Sequence, residues 1–121
     1  MSRKISRKGL KRKADKIFSQ WIRSEGACEW CGIERPSSEL HTAHIFTRKY
    51  LVTRWSIDNA LCLCPKCHYK AHEQPLEFAE FVKGYLGKKR YNALRRKAKT
   101  SIKKVDLNEI VQKYTKLLEE Q

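Results

Sequence analysis

The chain has 121 residues, and its Lys and Arg outnumber Asp and Glu by 27 to 13, for a formal net charge of +14. That balance points to a polyanionic partner, nucleic acid first and an anionic membrane surface second. No apolar run approaches the roughly 20 residues needed to span a bilayer, and the basic N-terminus lacks the apolar stretch of about 7–15 residues of a secretory signal, so no membrane role and a cytoplasmic setting are expected.

Arg3, Lys4, Arg7, Lys8, Lys11, Arg12 and Lys13 crowd the first 13 residues without one acidic neighbour. Their repulsion predicts a disordered extreme end in the free protein. From Leu10 onward Ala14, Ile17, Phe18, Trp21 and Ile22 fall at helical spacing, so a first helix is expected over about 10–24, with Gly26 as its stop. Residues 27–73 differ in texture, holding all five cysteines and all four histidines. Glu39 to Phe46 and Ala60 to Cys64 are expected as strands separated by a polar loop, and Pro65 to His72 as a turn running into a helix. Pro75 suits a first helical position; Leu76, Ala79, Val82 and Leu86 form a stripe that Gly87 closes. A basic segment follows, from Lys88 to Lys104 (Lys103 included), with Tyr91, Leu94 and Ala98 as its apolar face. Asp106 and Glu109 form a capping-box pattern for a last helix carrying Leu107, Ile110, Val111, Tyr114, Leu117 and Leu118. The chain thus divides into a basic arm and helix (1–26), a central module (27–73) and a basic helical extension (74–121).

Cys28-Glu29-Trp30-Cys31 and Cys64-Pro65-Lys66-Cys67 are two CxxC pairs. A two-residue gap lets both thiolates of a knuckle reach one ion, and two knuckles complete a tetrahedron, the arrangement of structural zinc. Four thiolates leave no open position. An odd number of cysteines argues against a fully paired disulfide framework. Cys62, the fifth, alternates with Leu61 and Leu63 and is expected to be an inert, semi-buried strand residue. His68 and His72 are four apart, which on a helix sets both imidazoles on one face, about 5–6 Å apart at Cβ. The zinc knuckle just before them fixes the start of that helix. His44 lies near the end of the first predicted strand and Asn59 just before the second.

Together, "HTAHIF", "DNALCLCPKCH" and "YKAH" resemble the HNH (ββα-metal) endonuclease motif over residues 28–72, and the stretch "RKYLVTRWSIDNALCLCPKCH" is similar to small phage or prophage-associated members. The resemblance implies an α+β fold, a small zinc-stapled ββα-metal core flanked by N- and C-terminal helices. It implies that His44 is the general base, taking a proton from the attacking water, and that Asn59 holds the His44 ring in its tautomer through side-chain or backbone contacts. His68 and His72 would bind one divalent ion, with products carrying a 5′-phosphate and a 3′-hydroxyl. Histidine ligation suits Zn²⁺, Ni²⁺ and Mn²⁺, whereas Mg²⁺ prefers oxygen and water and remains usable in a water-rich sphere. Many members place a ligand immediately before the base; here Ala43 stands there and cannot ligate. His41 is the candidate replacement, water the other. Strand alternation sets His41 on the opposite face from His44, so a bulge or twist would be needed for it to reach the ion.

Arg48, Lys49 and Arg54 lie in the loop between His44 and Asn59 and are expected to contact phosphate, while Trp55 is expected to pack beneath that loop. The basic arm and the Lys88–Lys104 run offer wider surfaces for salt-dependent DNA binding with little sequence discrimination. Two other readings stand beside the nuclease. One is a non-catalytic zinc-dependent nucleic-acid-binding module on the same scaffold, for which Ala43 speaks; the other is an interaction protein that docks a partner through its last helix. Monomer and homodimer stay undecided.

Overall fold

The computed structural model describes residues 6–100 and 104–121. The expected disorder around Arg3 and Lys4, and Lys103 of the basic run, lie outside the described residues.

The first helix, α1, spans Arg7–Arg23 and starts three residues before its apolar stripe does, because Ser6 caps it by accepting the Gly9 N–H at 3.1 Å. Its stripe buries Ala14, Phe18 and Ile22. Each large apolar side chain so buried contributes about 1.5–3 kcal/mol. Strands β1 (His41–His44) and β2 (Ala60–Leu63) pair antiparallel, with His41 opposite Leu63, Thr42 opposite Cys62, Ala43 opposite Leu61 and His44 opposite Ala60. Both are shorter than the sequence suggests. The loop between them is not purely irregular: it holds a single-turn helix, α2 (Leu51–Arg54), and a 3-10 turn over Ile57–Asn59.

Helix α3 (Pro65–Glu73) begins on the second cysteine knuckle, where the Cys64 sulfur accepts the Cys67 N–H and Pro65 occupies the first turn. Helix α4 (Pro75–Leu86) ends at Gly87, whose φ of 84° is the positive value that favours glycine. Helix α5 (Lys88–Thr100) carries the basic run and buries Leu94 and Ala98. Helix α6 (Leu107–Glu119) is capped by Asp106, which accepts the Glu109 N–H.

The two-stranded sheet lies between α1 and α3. Successive strand residues point to opposite faces, and the contacts follow: Thr42 and His44 meet Ser19 and Phe18 of α1, while His41 meets His68 of α3. Helix α6 packs along α1, and Tyr114, fully buried, sets its ring edge-on to Phe18 with centroids 4.9 Å apart. One contiguous core therefore runs from Phe18 and Ile22 through Leu61 and Leu63 to Val82, Leu94, Leu107 and Tyr114. The architecture is α+β, a small two-stranded sheet and its helix flanked by N- and C-terminal helices.

Candidate active site

Cys28, Cys31, Cys64 and Cys67 place their sulfurs within 4.8 Å of one another, and the Cys31 and Cys64 sulfurs are 3.8 Å apart. A regular tetrahedron with metal–sulfur bonds of about 2.3 Å has edges of about 3.8 Å, so the four fit a zinc ion. Local backbone geometry shapes each knuckle. Gly32, at φ 82°, lets the chain turn back so that its N–H reaches the Cys28 carbonyl, and the Cys31 and Cys67 N–H groups point at the sulfurs of Cys28 and Cys64. Burial works against ionising Cys28, but amide donors from Cys31, Cys64 and Trp30 outweigh it and bring its thiol down to about 7. Burial and the neighbouring sulfurs push Cys67 up. Four thiols this close resist shedding all their protons unless a cation shares the charge.

Glu29, inside the first knuckle, fastens it to the open edge of β2. Its N–H donates to the Cys62 carbonyl at 2.8 Å, its carboxylate accepts the Cys62 N–H at 2.8 Å, and it also accepts the Tyr85 hydroxyl of α4. Cys62 is fully buried rather than semi-buried, and burial with nearby Glu29 raises its thiol to about 12. Inertness follows.

His44, His68 and His72 line one cleft of about 510 Å³, together with Ala43, Arg48 and Phe78. The His44 Nε2 lies 3.0 Å from the Arg54 carbonyl oxygen. Because a carbonyl only accepts, Nε2 carries the proton and Nδ1 is left as the basic nitrogen. Burial lowers the His44 pKa, with Arg48 and Arg54 adding to the effect against the Arg54 carbonyl and Asp15. Its ring is therefore neutral, and able to accept a proton, at neutral pH.

The hydrogen bonds of Asn59 go to the backbone beside His44, not to its ring. Fully buried, Asn59 accepts the Phe46 N–H at 2.8 Å and donates to the Phe46 carbonyl at 3.1 Å, while its own carbonyl accepts the Ile45 N–H at 2.8 Å. It staples the backbone just beyond His44 to the start of β2. The ring itself is held by Arg54.

On α3, the Nε2 atoms of His68 and His72 are 3.3 Å apart. Two nitrogens about 2.1 Å from a shared ion are separated by about 3.0–3.4 Å at angles between right and tetrahedral, so the pair fits a divalent ion. Burial, followed by His41 and His72, lowers the His68 pKa. His41 meets His68 without any bulge. Strand alternation, which seemed to count against it, puts His41 on the same face as Ala43, and that face is the one turned toward α3. The contact joins Nδ1 to Nδ1 at 2.8 Å, so His68 turns one nitrogen to His41 and the other to His72. A single ion takes only one of them.

Of the three loop cations, Arg48 and Arg54 pair with a carboxylate of α1. Arg54 is mostly covered: its Nε and Nη2 donate to Asp15 of α1 at 3.0 and 2.6 Å. Arg48 is over half exposed and lines the cleft, yet also reaches Asp15 at 2.6 Å. Lys49 is exposed, above the Tyr50 ring. Trp55 is buried under the loop, as expected, and donates its indole N–H to Asp15 at 2.9 Å. Asp15 was not singled out by sequence reasoning. The signal was there: it is the sole acidic residue before Glu25.

An antiparallel pair of strands and a helix, with four thiols at zinc spacing and imidazoles from strand and helix around one cleft, resemble the ββα-metal nuclease class. Residues 28–70 match the sequence model of the HNH endonuclease family. No curated protein and no solved structure matches the chain.

Proposed function

We propose that the protein is a divalent-metal-dependent DNA endonuclease that hydrolyses phosphodiester bonds. The observation that carries this reading is the His44 ring, fixed by the Arg54 carbonyl as the Nε2–H tautomer, beside the same cleft as His68 and His72. His44 accepts the proton of the attacking water at Nδ1. His68 and His72 would hold the ion through Nε2; when bound, it would supply electrostatic stabilisation to the charge that develops on the phosphate and the leaving 3′ oxygen. His41 serves that site from outside. With the shared proton on His68, the Nδ1–Nδ1 contact leaves the His68 Nε2 as ligand and fixes its ring, as outer partners of metal-bound histidines do. Ala43 offers no ligand atom, so water would have to serve in that position. Mg²⁺ or Mn²⁺ suits that water-rich site, and Zn²⁺ the four cysteines.

Arg48 and Lys49 contact the scissile-strand phosphates, with α1 (Arg7, Lys8, Arg12, Lys13) and α5 (Lys88, Lys89, Arg95, Lys99) extending the grip. The arm (1–26) and the extension (74–121) then frame the nuclease module (27–73). No helix among the described residues is long and apolar enough to cross a membrane.

Conversion of supercoiled plasmid in Mg²⁺ or Mn²⁺ tests the reading, with His44→Ala as partner. The wild type nicks or cuts only with added metal, and His44→Ala loses about 10²–10⁴-fold while retaining its zinc. Equal cleavage by both would end the assignment of the base. Ala43, buried and without a ligand atom, favours the second reading, a non-catalytic binder. That reading requires salt-sensitive DNA or RNA binding, one zinc per chain and no cleavage of linear, branched or single-stranded substrates in any metal.

A further inference from the structure

The segment that orients His44 is held mainly by residues outside the stretch matched to the nuclease family. Arg54 supplies the carbonyl that receives the His44 Nε2–H, so the ring is only as well placed as the Arg54–Trp55 peptide. Three ties converge on the two residues that flank it. The Asp15 carboxylate of α1 accepts both nitrogens of the Arg54 fork and the Trp55 indole N–H, and it draws in Arg48 as well. The Tyr114 hydroxyl of α6 donates to the Trp55 carbonyl at 2.5 Å, from a fully buried ring. The Arg54 guanidinium lies over the Trp55 ring, 5.2 Å from its centroid. A carboxylate gathering four donors at 2.6–3.0 Å is a rigid junction.

We propose that Asp15 is a positioning residue for the His44 base, acting through Arg54 and Trp55, and that Tyr114 of α6 braces the adjoining Trp55–Ser56 peptide. The inference rests on the nuclease reading for its catalytic meaning, though the orientation of the His44 ring stands apart from catalysis. Asp15 is not part of the cleft lining, which it meets only through Arg48, and it makes no hydrogen bond to the imidazole. It fixes where the Arg54 carbonyl sits, and so which ring nitrogen of His44 bears the proton. It also offsets the two guanidiniums nearest His44, whose charge would otherwise disfavour the protonated ring that forms as the base accepts its proton. Burial alone would raise the Asp15 pKa; the hydrogen bond and charge of Arg54, then Arg48 and Trp55, outweigh it and keep the carboxylate ionised.

The test uses the full-length, zinc-loaded chain in wild-type form and as Asp15→Asn, Asp15→Glu, Tyr114→Phe and His44→Ala. Ring-¹⁵N NMR without added catalytic metal reads the His44 tautomer directly. Wild type is expected to show Nε2–H alone, Asp15→Asn a mixture, and Asp15→Glu a return toward the wild-type signal. In plasmid cleavage, displacement of the base by an ångström is expected to lower kcat about 100-fold. KM stays level or falls, since two guanidiniums are released toward the DNA. A merely structural role would lower the folded fraction without changing the tautomer of folded molecules. If Asp15→Asn fails to fold, Tyr114→Phe, which removes one hydroxyl, carries the same comparison. A wild-type tautomer and kcat in the folded variants, with only DNA affinity changed, would overturn the proposal and leave Asp15 a tuner of surface charge. Full activity of His44→Ala would sink the nuclease base instead, and the NMR comparison would still decide whether Asp15 sets the ring.

Discussion

Asn59→Ala tests how the strand carrying His44 is secured. The side chain is fully buried and makes two hydrogen bonds to one residue, accepting the Phe46 N–H and donating to its carbonyl. Alanine removes both partners at once and leaves two backbone groups that only water could satisfy. A net hydrogen bond is worth about 0.5–1.5 kcal/mol and an orphaned buried group costs about 1–3 kcal/mol, so a combined loss of about 2–4 kcal/mol is expected. Against a typical domain stability of about 5–15 kcal/mol that is severe but survivable. Urea unfolding at fixed excess zinc should show the midpoint lowered by about 1–2 M for a slope of about 2 kcal/mol/M. Asn59→Asp is a useful companion. It can still accept from Phe46 but, ionised, cannot donate to the carbonyl, and it buries a charge; acidification should restore part of its stability by returning a donor proton. An unchanged midpoint in Asn59→Ala would mean that water replaces the amide, and the stapling argument would fail.

Cys31→Ser is expected to reduce bound zinc from one ion per chain to substoichiometric levels and to unfold the central segment, as read by metal analysis beside circular dichroism. His41→Ala should weaken Mn²⁺ binding about 10–100-fold by calorimetry while zinc content stays at one per chain, because it frees the His68 ring without removing a ligand. Cleavage should rise with pH and reach half its maximum below about 6.5, since burial disfavours the charged His44 ring and the neutral form is the active one. An acidic limb centred above that value would contradict the buried, carbonyl-held imidazole.

The parts of the site that were legible in the sequence are those whose geometry is local. A CxxC gap dictates where two sulfurs go, and an i, i+4 pair of histidines meets on a helix whatever surrounds it. His41 was harder. Alternation correctly separated it from His44, but the relevant comparison was with Ala43, and which strand face looks at α3 is a tertiary fact. Arg54 reads as a phosphate ligand because an isolated loop arginine near a nuclease motif has no visible partner in sequence. Its carboxylate is 39 residues away, on a helix whose rotation is set by core packing. The single turn of α2 escaped for a related reason. Leu51–Arg54 has no side-chain cap and is too short for a periodicity, so it is helical only because the core below receives Thr53 and Trp55.

The shared core has a practical consequence for anyone wishing to transplant this centre. Residues 28–70 look like a portable cartridge, four-cysteine clip included, but Leu40, Trp55 and Leu61 share one core with Phe18, Ile22, Leu107 and Tyr114 from the two ends of the chain. Cut loose, the cartridge would carry a greasy underside and a slack loop beside His44. It would still chelate its metal, yet clump; a graft that works must bring both bordering helices with it.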